Sequence, residues 1–117
     1  MSLDPCPVRR AGGAIVIVLP AEIDVTTVDQ IGAELAGALD ADPEVLVVDM
    51  TATESCDSAG VQMLVRTSRR AAAAGAGLRL ATDGLAVRRV LELTGADQVI
   101  ALYPDLDAAT HDLAITG

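Results

Sequence analysis

Aromatic residues are almost missing from this sequence: 117 residues carry one Tyr and no Phe or Trp. Lys and Asn are absent as well, so the eight basic residues are all Arg. Without aromatics there are no platforms on which the bases of a single strand could stack. A formal net charge of −9, from 17 acidic residues, leaves no basic patch for a phosphate backbone, and nucleic acid is excluded as a partner. Long hydrophobic runs are absent too. Ala14 to Leu19 and Val45 to Val48 fall far short of the roughly 20 residues a membrane helix needs, so no membrane insertion is expected. Residues 1–10 lack the apolar segment of a secretion signal. Two cysteines, Cys6 and Cys56, do not make a disulfide framework, and a reduced, cytoplasmic protein is the reading.

What is present is aliphatic. Hydrophobic residues make up 51% of the chain, so the core must be built from Ala, Val, Leu and Ile. With no linker or internal repeat, residues 1–117 read as a single domain, near the commonest domain size of about 100–150 residues.

The periodicity predicts an alternation of strands and helices. Ala14 to Leu19 is a β-branched run closed by Pro20, and its lack of alternation predicts burial on both faces. A helix opens at Thr26 or Thr27, where Thr27 to Gln30 fits a capping box. Val28, Ile31, Leu35 and Leu39 share one face of that helix, and Asp40 to Pro43 end it. Val45 to Met50 is a second buried strand, and Thr51 to Asp57 a polar connection. A helix from Ser58 to Ala74 carries an inner stripe of Val61, Leu64, Val65, Ser68 and Ala72, with Arg66, Arg69 and Arg70 on its wet side. Gly75 suits a left-handed stop. A third strand covers Leu78 to Ala81. Asp83 can cap a helix from Leu85 to Thr94, followed by Gly95. A last strand covers Gln98 to Leu102 and a last helix Asp105 to Leu113. This order gives an α/β class with a largely parallel sheet.

The chemical inventory is short. A dinucleotide site wants a Gly-rich turn after the first strand. Here that turn reads Pro20-Ala21-Glu22-Ile23-Asp24, and its carboxylates would repel a pyrophosphate. The only histidine, His111, reads as a surface helix residue, and with Cys6 and Cys56 it has no zinc-ligand spacing. A nucleophile elbow at Ser58 would need Gly at position 56. There is no Walker A loop, and neither a cofactor nor a catalytic residue is assigned.

Asp57-Ser58 has two readings. The plain one makes Ser58 or Asp57 the N-cap of the following helix. The functional one uses the same place: a hydroxyl at a helix start is exposed, and a phosphate there would add about −1.5 to −2 charges. The helix dipole would favour that charge, while Asp57, and Glu22 and Asp24 if they lie at the neighbouring strand end, would oppose it. Gly60 is either a tolerated glycine or a site of close approach for a partner. Gln62 reads as an exposed helix residue, and Thr27 as a cap first and a site residue second.

Val45-Leu-Val-Val-Asp-Met50, Asp57-Ser58-Ala59-Gly60-Val61 and Ala86-Val-Arg-Arg-Val-Leu-Glu-Leu-Thr-Gly95 together resemble a STAS domain. More narrowly, the chain resembles a bacterial anti-sigma factor antagonist, from about Val8 to Leu113. Glu22-Ile23-Asp24 resembles the family's acidic turn at the same place. The resemblance implies a small, mostly parallel sheet of four to five strands with an N-terminal antiparallel edge strand around Cys6 to Arg10, flanked by about four helices. It implies a switch and not an enzyme. The unphosphorylated form binds an anti-sigma factor that is also a serine kinase and so frees the sigma factor. The kinase uses ATP to phosphorylate Ser58, which breaks the complex, and a phosphatase resets it. Partner contacts would come from Asp57, Ser58, Ala59, Gly60, Gln62, Glu22, Asp24 and Thr27, on a monomer. The chain departs from the family pattern at Ser55, where a bulky apolar residue is usual, at Pro20-Ala21, where Gly is usual, and at Gln62, where Gly is common. Ser55 adds a second hydroxyl near the first. The alternative implied by the same fold is an accessory subunit of an ABC-type lipid transporter, bound constitutively to its ATPase. A small-molecule sensor and a hydrolase built on Ser58 rank below both.

Overall fold

The computed structural model of the chain describes residues 4–113. Its strands are β1 (Val8–Ala11), β2 (Ala14–Val18), β3 (Glu22–Ile23), β4 (Val45–Asp49), β5 (Ser55–Cys56), β6 (Gly77–Ala81) and β7 (Ala101–Tyr103). The helices are α1 (Val28–Asp40), α2 (Ser58–Ala73), α3 (Leu85–Leu93) and α4 (Leu106–Thr110).

Runs of Val, Ile and Leu suit a pleated surface packed on both sides, and β2 and β4 become neighbouring strands in the middle of the main sheet. That sheet has five strands in the order β1-β2-β4-β6-β7. All neighbours are parallel except β1 and β2, which form the antiparallel edge expected from the family resemblance. One face of the sheet carries Ile15, Ile17, Leu46, Val48 and Leu80, packed with buried residues of α1, α2 and α3. The other carries Val16, Val47 and Ala81 under Ala109 of α4. Burial on both faces of the central strands is thus the observed state.

Several boundaries differ from the sequence expectations. Thr51 to Asp57 is not only a connection: Ser55 and Cys56 form β5, which pairs in parallel with β3 in a separate two-stranded ladder. The segment Gln98 to Leu102 is not one strand. Ala96–Gln98 is a short 3-10 turn, and the strand begins only at Ala101. The last helix ends at Thr110 rather than Leu113. Gly75 and Gly95 do take the left-handed conformation, at φ of 76° and 78°.

The inner face of α2 is Gly60, Val61, Met63, Leu64, Thr67 and Ala71. Val65 and Ser68 are half-buried, and Ala72 is exposed. Alanine carries no strong preference for either side, so hydropathy alone could not place the stripe. Thr67 tolerates burial because its hydroxyl donates to the Met63 carbonyl at 2.8 Å. Asp83 does not cap α3. Gly84 occupies the cap position without a side-chain bond, and its amide donates instead to the Thr82 hydroxyl.

Candidate functional site

Two loops leave the carboxyl ends of β2 and β4 side by side, the place where parallel sheets build their sites. The first holds Pro20 to Thr27, the second Thr51 to Asp57. The ladder β3–β5 joins them, with Glu22 opposite Ser55 and Ile23 opposite Cys56. The Glu54 amide donates to the Ala21 carbonyl at 2.8 Å, and the Asp57 amide to the Ile23 carbonyl at 3.1 Å. Thr53, buried, donates its hydroxyl to the Pro20 carbonyl at 2.9 Å. This threonine was missed at the sequence level, because a single Thr in a polar stretch carries no periodic signal.

Asp57 ends the second loop in extended backbone, and its carboxylate accepts the Gly60 amide at 3.0 Å. Asp57 is therefore the N-cap, worth about 1 kcal/mol to the helix. Ser58 is left as the first helical residue, exposed, with its hydroxyl released from capping duty. Gln62 is exposed one turn on, and Ala59 is half-buried against the core.

Gly60 faces inward. A Cβ built on it would lie 2.6 Å from Cys56 Sγ and 2.8 Å from Ile23 Cγ2. The close approach it permits is that of helix α2 to the β3–β5 ladder, not that of a partner. The Cys56 thiol, buried there with Asp57 next to it, is pushed up to about 11.

The acidic turn has its own local order. The Asp24 carboxylate accepts the Thr26 amide at 2.8 Å and the Thr26 hydroxyl. Those bonds hold its pKa below the usual carboxylate value. Thr27 does not make the expected capping box. Its backbone is already helical, its hydroxyl accepts the Asp24 amide, and its side chain makes no cap bond. The amides of Thr27 and Val28 both donate to the Asp24 carbonyl, at 3.0 Å each. Gln30 donates to Glu34.

Because folding lowers the Asp24 pKa, the carboxylate's hold on the turn is complete above the ordinary carboxylate range. It is lost as pH falls through the lowered value. In an NMR titration the Asp24 carboxyl should titrate below 3.8, the ordinary value. Thr26→Val should move it back up. An unchanged midpoint in that variant would refute the hydrogen-bond account.

The remaining candidates are dispersed. His111 is exposed at the end of α4, which packs on β4, β6 and β7 under the opposite face of the sheet. Among the described residues no group of three or more His, Cys, Asp or Glu could hold a metal ion. No helix among them is long and apolar enough to cross a membrane.

A mostly parallel sheet with two zipped carboxyl-end loops, and an exposed serine just after the Asp cap of α2, defines a small α/β domain that presents the hydroxyls of Thr26, Ser55 and Ser58 in an acidic corner. The STAS domain model matches residues 6–109, and the chain belongs to the STAS domain family. In structure it is similar to an anti-sigma factor antagonist from Mycobacterium paratuberculosis, at 28% identity, 100% coverage of both chains and a TM-score of 0.84. It is also similar to an anti-sigma-factor antagonist (STAS) domain protein from Planctomyces limnophilus. That protein is 23% identical, over 91% of this chain and 94% of the other, with a TM-score of 0.79. The anti-sigma factor antagonist SpoIIAA, solved in its unphosphorylated form, is 20% identical over 96% of this chain and 99% of the other, with a TM-score of 0.76. No curated protein matches the chain significantly in sequence.

Proposed function

We propose that residues 1–117 act as one STAS unit, an anti-sigma factor antagonist that works by binding and not by catalysis. In its unmodified form it binds an anti-sigma factor serine kinase and so releases the sigma factor. Phosphorylation of Ser58 ends the complex, and a serine phosphatase restores it. The protein acts as a monomer in the cytoplasm.

One observation carries this reading: Asp57 does the capping, so Ser58 is exposed and replaceable at the start of α2. A phosphate there leaves the helix intact. It joins a corner that already holds Asp57, with Glu22 and Asp24 on the loop bonded to it. A binding surface changes charge while the core is untouched. Support for the class comes from the 28% identical antagonist, aligned over the whole length of both chains.

The test is mass spectrometry of the chain incubated with ATP and each anti-sigma kinase of its source organism. One added phosphate is expected, mapped to Ser58 and absent from Ser58→Ala. A phosphate on Ser55 instead would move the switch to the strand before the cap. Stable binding to an ABC-type ATPase, with no phosphate from any kinase, would favour a constitutive transporter subunit.

A further inference from the structure

We infer that the groove between α2 and the end of α3 docks an acidic, amphipathic segment of the anti-sigma partner, with Arg66 and Arg69 as its charge contacts. This rests on the antagonist reading above and adds the chemistry of the second contact. The groove has a volume of about 520 Å³, and its lining includes Ser58, Val61, Gln62, Val65, Arg66 and Arg69. It begins at the switch serine and runs along α2. Positions 58, 62, 66 and 69 repeat at helical spacing, so they share one face. From Ser58 to Arg69 is about 16 Å at 1.5 Å per residue, or three turns of a partner helix.

The charges on this face are ordered. Asp57 stands at its start, beside the loop of Glu22 and Asp24. Arg66 and Arg69 stand at its far end, both exposed. Among the described residues, the ion pairs engage Arg70 with Asp40 and Arg79 with Asp112, and leave Arg66 and Arg69 out. Two free cations on one groove wall, in a chain of net charge −9, call for an anionic occupant. A polyanion is a poor one, because the carboxylates at the other end would repel it. The floor offers Val61 and Val65. Leu93, 80% exposed, adjoins the lining residue Thr94, and Val99, 61% exposed, accepts a hydrogen bond from Ser68 on α2. An occupant with an apolar side and acidic residues fits both properties, and its charge pattern fixes which way it lies.

The experiment measures binding of the full chain to the anti-sigma kinase that phosphorylates it, at about 0.05 M and about 0.5 M salt. Arg66→Glu/Arg69→Glu should bind roughly 30-fold more weakly at low salt, because two attractions become repulsions, with the gap narrowing at high salt. Arg66→Gln/Arg69→Gln should fall between. Arg88→Glu/Arg89→Glu, exposed on α3, should change affinity little. A photo-cross-linker at Val65 should capture a partner peptide rich in Asp and Glu. Unchanged affinity in the groove variants, or a cross-link to a basic segment or to a second copy of this chain, overturns the groove assignment and leaves the antagonist reading standing. Failure of the unaltered chain to bind any anti-sigma kinase overturns that reading, and the groove's partner with it.

Discussion

Ser58→Asp should bind the anti-sigma kinase at least 100-fold more weakly than the unmodified chain, and Ser58→Ala within about threefold of it. The difference follows from who caps the helix. Asp57 supplies the cap bond to Gly60, so removing the Ser58 hydroxyl costs the fold almost nothing. An added carboxylate is also tolerated by the free protein, since the start of a helix favours negative charge by about 0.3–1 kcal/mol. The penalty arises on binding. A charge pressed into an interface beside Asp57, with no compensating cation, costs about 3–5 kcal/mol, which is about two to four decades in affinity. Isothermal titration of the two variants against the kinase measures it, with thermal melts to show that both are folded. Equal affinity for the pair would mean that charge at position 58 is not the signal.

Gly60→Val should lower stability by about 2–3 kcal/mol, or roughly 10 °C in melting temperature for a chain of this size. The wall it meets consists of Cys56 Sγ and Ile23 Cγ2, both on the ladder and both buried, so neither can swing away as a surface side chain would. Gly37 is the contrast. Nothing lies within 4 Å of a Cβ built there. Gly37→Ala should stabilise the chain by about 0.5–1 kcal/mol through helix propensity alone. Chemical denaturation of both variants checks the pair, and a Gly60→Val chain as stable as its parent would show that α2 can lift off the ladder freely.

The long β-branched runs and the α1 stripe of Val28, Ile31, Leu35 and Leu39 were legible because each repeats over enough residues to set a period. The β3–β5 ladder was not. Two-residue strands are too short to alternate, and their pairing spans more than 30 residues of sequence. Val99 and Ile100 look like strand, yet they close a 3-10 turn before β7 begins. At the site, Asp57-Ser58 could be read as a helix start, but not which of the two was the cap. That depended on the extended backbone at Asp57. Thr27 had the residue type of a cap and the wrong backbone: it is already helical, and its hydroxyl takes the Asp24 amide instead. The reason for Gly60 lies in two side chains remote from it in pattern, so only packing could show it.

The ladder between the two loops also binds their histories together. Ala21 and Ile23 accept amides from the second loop, Pro20 accepts its threonine hydroxyl, and the register fixes Ile23 against Cys56. An insertion in one loop would break the other's pairing. A larger residue at 23 would demand a smaller one at 56, or the loss of the helix contact at 60. The acidic turn and the serine loop therefore share one register and one buried pair, while exposed side chains such as Glu22 and Ser55 can change without disturbing either. A change in the length of one loop is thus a change in the shape of the other.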